Sequence, residues 1–397
     1  MSQRLETLCD QTISALVRWD RLKNGGIIDF DLIGARRREG GSFKDRLEAL
    51  ESFKNLFAAL NEYKSCDDLA LTKALKTKIT ASIYYLRALL GEDIPFTEYI
   101  IRTMGITPAV IPESKLALLR DYLSAKAKAL GFANANQAFT VLHRTTQVTK
   151  PPEIQACFKK YEQSLVSRTR TKLKIELDLN YEIKFVNENV YWCNWILTEE
   201  ARIVLKINLY PDHRWYPARV EVLVSHELAG HALQALAWQA GIARGEIPRI
   251  WGLLTVFSPE QFILEGVAQA LPDFMGPEYL SAEGQLEHLR FCLGVQVKNN
   301  IHLAMNSGGH ENQQLEIYRS WLPWDGESDE FLLNQFRSMR DQPLLRTYQY
   351  IYGVSQLLLS QIARESSASA ALKSCYSRVL TPDQLLGQYK LSWPVSN

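Results

Sequence analysis

The hexapeptide HELAGH, His226 to His231, constrains this chain more than any other feature. It lies within a helix-like stretch, VEVLVSHELAGHALQALAWQA, and follows a strand-like one, ARIVLKINL. Two imidazoles with a carboxylate beside the first are the parts of a hydrolytic zinc site. Imidazole is the commonest neutral metal ligand, and a neighbouring glutamate, here Glu227, can take a proton from a metal-activated water. In the common HExxH pattern the histidines sit four apart, about 40° around a helix. Here they are five apart, about 140° around an ideal helix, and would not face one ion. Either the helix carries one extra residue locally, as a π-bulge, or the motif is accidental. Gly230 is the residue type that tolerates such a distortion. The apolar rhythm agrees, because Val220, Leu223 and Val224 keep one register while Leu233 and Leu236 resume out of phase with it. The spacing predicts a widened turn near Leu228 to Gly230.

Downstream lies FSPEQFILEGVAQALPDF, in which Ser258 suits a helix N-cap, Pro259 the first helical position and Gln261 a capping-box partner. Glu265 falls in the second turn of that helix, among Phe262, Ile263, Leu264, Val267 and Ala268. A lone carboxylate in such an apolar stretch is costly to bury unless it is paired or bound to metal. Catalytic zinc takes three protein ligands and leaves the fourth position open, so His226, His231 and Glu265 would complete the set for a Zn2+ cofactor. The competing reading is an exposed glutamate or one half of an ion pair.

With these parts the chain resembles a gluzincin, the zinc metallopeptidase group whose third ligand is a glutamate on the next helix. HELAGH is similar to the HELLGH motif of dipeptidyl peptidase III, and HELAGHALQ to the HExxPGHHxQ motif of a large bacterial group, although it is one residue shorter and lacks the proline. LEGVA resembles that group's VEGWA box and carries Glu265 over as the ligand. NNIHLAMNSGGHENQQLEIYRS resembles its D-x-G-x-H stretch and places His310 on the histidine. QPLLRTYQYIYG resembles its P-G-Q-A…Y-x-x-G segment and places Tyr350 on the tyrosine, with Tyr352 as neighbour. The likeness runs from roughly residue 200 to 365 in consistent order. The departures are Val267 in place of the box's tryptophan and an acid that is absent or displaced to Asp273. The resemblance implies a helical, oligopeptidase-like fold and a catalytic set of Glu227 with Tyr350 and His310.

Composition narrows the partners. A formal net charge of +1, with no basic stripe interleaved with aromatics, argues against nucleic acid. No run of about 18 apolar residues is present to span a membrane, and the first twenty residues pattern as an amphipathic helix rather than a signal peptide. Six cysteines without a CxxC pair read as reduced thiols of a cytoplasmic protein.

Along the chain, residues 1 to about 175 read as helices. Leu47, Leu50, Phe53, Phe57 and Leu60 recur behind a Ser42 cap, Leu71 to Leu86 form another run, and further helices cover 113–131 and 152–174. ARRREGG and NGG read as solvated loops. Between about 175 and 210 the period changes to two, predicting a small sheet of three strands with Ile203, Leu205 and Ile207 facing the core. An edge strand there could add an extended peptide by main-chain hydrogen bonds. After 216 the helical pattern returns. The fold expected is mainly α, a large helical body with a small β-sheet beside the zinc-binding helix. A boundary near 150 would separate an N-terminal helical region, 1–150, from a zinc-hydrolase domain, 151–397.

The function expected is that of a zinc-dependent hydrolase, most readily a metallopeptidase acting on a peptide or small amide. Glu227 would be the general base and a phenol or imidazole, Tyr350 or His310, would stabilise the oxyanion. His213, His288 and His302 read as non-ligands, and Arg337, Arg340 and Arg346 as surface charge rather than anchors for a substrate carboxylate. A di-iron bundle is excluded, since no histidine has a glutamate three residues before it. A zinc hydrolase of a non-peptide amide or ester, or a helical binding protein with a degenerate site, remain as alternatives.

Overall fold

The computed structural model describes residues 3–391 apart from 24–25, 64–67, 146, 149, 191, 200–201, 211–212 and 325, with the side chains of 143–145 left aside. The NGG segment lies partly, and Cys66 wholly, outside the described residues. The chain is mainly helical with two small sheets. Helices Arg46–Asn61, Leu69–Leu89, Glu113–Ala129 and Pro151–Leu173 stand where the apolar periodicity puts them. The first begins at a different cap. Asp45, not Ser42, accepts the Glu48 N–H at 2.9 Å, because a carboxylate one residue before the helix reaches its free amides while Ser42 turns to the Arg18 and Phe43 carbonyls.

The larger sheet has strands β2 (Tyr181–Val186), β3 (Asn194–Glu199) and β4 (Arg202–Asn208), in the order β2-β4-β3. β4 runs parallel to β2 and antiparallel to β3. Ile203, Leu205 and Ile207 are buried as the alternation predicts, and so is Val204, because the central strand is covered on both faces. A second sheet, absent from the sequence reading, pairs β1 (Ile28–Asp31) with β5 (Leu253–Thr255). Each strand is too short to show an alternation of its own.

ARRREGG is not a solvated loop. Arg36 donates to Asp20 Oδ2 at 2.8 Å, to the Ile28 carbonyl at 2.6 Å and to the Thr198 carbonyl at 3.2 Å. It ties the N-terminal helix Gln3–Asp20 to β1 and to the outer strand β3. Buried apolar residues from both sides of position 150 share one core, from Leu5 to Leu385, and a smaller cluster joins Leu116, Leu123 and Phe139 to Leu293, Val297 and Phe336. Lys78 and Glu260, both without exposure, pair across the same position. That pair fixes the start of helix Glu260–Met275 against helix Leu69–Leu89, with the Lys78 ammonium also held by the Leu253 carbonyl at 2.6 Å.

Candidate metal centre and cleft

Helix Pro217–Val224 continues through a π-helical segment, Ser225–Ala232, into Leu233–Ala243. The widened stretch covers the whole hexapeptide. The Leu233 N–H reaches the Leu228 carbonyl, five residues back, as a π-turn requires. The extra residue inserted by the bulge is accommodated from outside: the Tyr376 hydroxyl donates to the Ala229 carbonyl at 2.6 Å, and Gln234 and Trp238 both donate to the Cys375 carbonyl. Gly230 serves a different purpose from the one its flexibility suggests. A Cβ there would stand 2.7 Å from the Ala268 Cβ and 2.8 Å from its Cα, so glycine is needed for the close approach of the two helices.

That neighbouring helix is Glu260–Met275, which carries Glu265. Its start differs from expectation. No side chain caps it; Ser258 bonds Thr255, and Gln261 turns inward to donate to Asp29 Oδ2 and the Thr255 carbonyl, both at 3.1 Å. A buried carboxylate and carbonyl compete for that amide more strongly than the helix start does. Gly266 permits a second close contact, with Ser355 and Leu359 of helix Ile351–Ala363.

The two helices bring three donor atoms together. His226 Nε2 and His231 Nε2 are 3.0 Å apart, with the rings at 88° to each other, and Glu265 Oε2 lies 3.4 Å from the first and 3.6 Å from the second. In a tetrahedral site with metal–ligand bonds of about 2.0–2.1 Å, ligand atoms stand roughly 3.3 Å apart. The observed separations straddle that value, so the three side chains fit one small divalent cation, and the set is two imidazoles and a carboxylate. All three are nearly withdrawn from solvent, with His226 the most accessible at 12%. Burial opposes ionisation of Glu265, and the histidines outweigh it, holding its carboxyl well below the usual range.

Glu265 is oriented through its other oxygen. Oε1 accepts from the Tyr348 hydroxyl at 2.5 Å and from the Tyr352 hydroxyl at 3.2 Å. Tyr350, the residue expected to stabilise the oxyanion, is elsewhere. Its hydroxyl accepts the Ala109 N–H at 2.8 Å, and its ring packs on Phe96 and His302 rather than lining the cleft. Tyr348 and Tyr352 are four apart and so share a face across the junction of helices Pro343–Tyr348 and Ile351–Ala363; Tyr350 points away from it. His310 is exposed at the start of helix Glu311–Trp321, beside Gly308 and Arg340, and does not line the cleft either. The glycine-rich segment before it ends helix Ala282–Asn306, which turns the chain away from the centre.

Glu227 lies beside the donor set, 3.8 Å from His226 Nε2 and 2% exposed. Its Oε1 accepts from the Asn194 side chain at the start of β3, while the buried Oε2 has no partner among the described residues. Desolvation pushes its carboxyl up to about 7, opposed by His226. Asn194, Tyr348 and Asp29 carried no motif and went unmarked in the sequence; the four-residue spacing of Tyr348 and Tyr352 was the signal available.

A cleft of about 280 Å³ opens on this centre. One wall is β1 and β3, with Asp29, Asn194 and Trp195; the other is helix Ala282–Asn306, with Arg290, Phe291 and Lys298. Asp29 accepts from Trp195 Nε1 and Gln261 Nε2, each at 3.1 Å, and burial pushes its carboxyl up to about 8. Asp273, the position of the displaced acid in the motif resemblance, lies 3.7 Å from His288 and bonds Ser360, away from the three donors. His213 and His288 line the cleft without joining the donor set, and His302 is buried against the Arg346 carbonyl. Among the described residues no helix is long and apolar enough to cross a membrane.

No protein-family model matches the chain, and no curated protein matches it. Among solved structures it is similar to a "putative lipoprotein" from Colwellia psychrerythraea, at 13% identity and a TM-score of 0.57, over 90% of this chain and 71% of that one. At that identity the likeness is one of fold.

Proposed function

We propose that this chain is a zinc-dependent hydrolase of short peptides or small amides, with His226, His231 and Glu265 as ligands and Glu227 as general base. The observation that carries the reading is the π-helical segment. It places two histidines five apart on one side of the helix, at ligand spacing from a glutamate of the next helix. A long-range convergence of two imidazoles and a carboxylate has no structural purpose as evident as a cation. Zinc bound there would polarise a carbonyl and make a water easier to deprotonate.

The chain's own groups supply the rest. Glu227 presents its unpartnered Oε2 while Asn194 holds Oε1, so the carboxylate is positioned to take a proton and return it to a leaving amine. Tyr348 and Tyr352 hold Glu265 in place, as outer groups around metal ligands do. The cleft volume is at the small end of ligand sites, which run from about 300 Å³ upward, and suits a short chain rather than a folded protein. The likeness to gluzincin motifs supports the same reading. The five described cysteines are all free thiols, which supports a reducing compartment, the cytoplasm.

Metal analysis of purified protein together with hydrolysis of an acetylated peptide library is the test. We expect about one zinc per chain, lost in His226→Ala/His231→Ala, and turnover reduced about 10²–10⁴-fold in Glu227→Gln with zinc retained. Full metal occupancy in the double variant would sink the ligand assignment, and undiminished turnover in Glu227→Gln would sink the base. An ester or non-peptide amide cleaved in preference to every peptide would leave the centre intact and move the substrate class.

A further inference from the structure

Three cations line the cleft, Arg219 from helix Pro217–Val224 and Arg290 and Lys298 from helix Ala282–Asn306, and they are not equivalent. Arg290 makes a two-bond pair with Glu287, at 2.7 and 2.8 Å, and Lys298 lies 3.4 Å from Glu327. Arg219 is half-buried and forms no ion pair among the described residues. Its one hydrogen bond there runs from Nη1 to the Arg214 carbonyl at 2.7 Å, and its guanidinium lies 5.1 Å from the Trp215 ring centroid. Those two contacts fix the head group while most of its five N–H donors stay unused. The Glu287 carboxylate acts on Arg219 through space, but its oxygens are taken by Arg290 and the Tyr216 hydroxyl, so the guanidinium keeps N–H donors to offer an anionic ligand. The arginines that the sequence offered for an anionic ligand are all engaged: Arg337 with Glu311, Arg340 with Asp341, and Arg346 with Asn306 and the Ile94 carbonyl.

We infer that Arg219 binds the free α-carboxylate of the substrate, which makes the enzyme selective for the C-terminal end of short peptides. The inference rests on the hydrolase reading above. Its geometric basis is the shared helix. Arg219 precedes His226 by seven residues, two turns, so both project from one face with roughly 10 Å between them along the axis. That span is about three extended residues at 3.3–3.6 Å each, and the guanidinium, held beside Arg214 and Trp215 at the helix start, does not shorten it. The carboxylate would therefore stand about three residues beyond the scissile bond. A guanidinium meets a carboxylate through two parallel N–H bonds, which a C-terminal amide cannot reproduce.

The test compares degenerate N-acetylated pentapeptides with a free C-terminal acid against the same set as C-terminal amides. Cleavage would be followed by mass spectrometry in wild type, Arg219→Gln and Arg219→Lys, each loaded with zinc and checked for metal content and helicity. We expect wild type to favour the acids at least tenfold in kcat/KM. Arg219→Gln should lose that preference through the acids alone and leave amide cleavage unchanged, and Arg219→Lys should keep part of it. Equal cleavage of acids and amides by wild type, or a preference that survives in Arg219→Gln, would overturn the inference while leaving the hydrolase reading standing. If zinc-loaded wild type cleaves neither set, the hydrolase reading fails instead. Calorimetric titration of the two sets into wild type then decides the carboxylate site, an acid preference that vanishes in Arg219→Gln upholding it and its absence removing it.

Discussion

Glu227 and Glu265 are buried carboxyls on adjoining helices, yet their surroundings push them in opposite directions. Glu265 meets two imidazoles and two phenols and stays ionised; Glu227 meets one amide and one nearby imidazole, and burial raises it to about 7. Only the first is equipped to stay charged without a cation's help, which suits a ligand; the second suits a proton carrier. The phenols give a test at this scale. Tyr348→Phe and Tyr352→Phe should each weaken zinc binding, and the double variant should weaken it about 10–100-fold, measured by competition with a chelator. Tyr350→Phe should leave zinc affinity unchanged, since its hydroxyl serves Ala109. Equal loss in all three would mean that the tyrosines act through general packing. The resemblance pointed to Tyr350 in this tyrosine-rich segment, but its hydroxyl meets Ala109 while those of Tyr348 and Tyr352 meet Glu265. A motif fixes neighbours along the chain, whereas the face they present depends on a helix junction that no periodicity announces.

At the scale of elements, the π-segment is what five-residue spacing demanded, and it was legible because two histidines and the flanking leucines had to satisfy different registers. What the sequence withheld is how that segment is kept. Tyr376 lies far along the chain, and Gly230 faces Ala268 across a gap too narrow for a methyl group. Partners so distant leave no local pattern. Gly230→Ala should therefore be destabilising by about 1–3 kcal/mol in denaturant titration, although alanine is the better helix former. Ala268→Gly in the same chain should restore a substantial part of the loss by reopening the gap. An unchanged midpoint in Gly230→Ala would show that the helices can separate freely. Deleting Ala229 would restore four-residue spacing but rotate everything after it by about 100°, turning Leu233 from the core, and should lower stability rather than improve the site. The strands β1 and β5 went unseen for a related reason: at four and three residues they exist by pairing with each other, not by pattern.

Across the whole molecule, the N-terminal helices and the helices that bear the candidate ligands share one core, and several ionisable groups are enclosed in it. Two of them should contribute to the pH dependence of stability in the metal-free protein with opposite signs. His302 donates from Nε2 to the Arg346 carbonyl, and burial holds its folded pKa down to about 3 against an ordinary value near 6.5. The unfolded chain then binds more protons between those values, so stability falls as pH drops from about 6.5 toward 3. Asp29 behaves in reverse. Its folded pKa is raised to about 8 from an ordinary value near 3.9, so the folded state holds the extra proton, and stability falls as pH rises from about 4 through 8. The two windows overlap between about 4 and 6.5, where the slopes oppose, so each is read as a difference in unfolding midpoint between variant and wild type of the metal-free protein across pH 3–9. Relative to wild type, the His302→Gln midpoint should rise progressively as pH falls from about 6.5 toward 3, and the Asp29→Asn midpoint as pH rises from about 4 toward 8, because each removes one titration and leaves the other. Asp29→Asn is the more informative of the two. Its carboxyl oxygens accept from Trp195 on β3 and Gln261 on the Glu265 helix, so the amide that replaces it loses one acceptor. A difference between Asp29→Asn and wild type that stays constant from pH 4 to 8 would place the proton on another buried group.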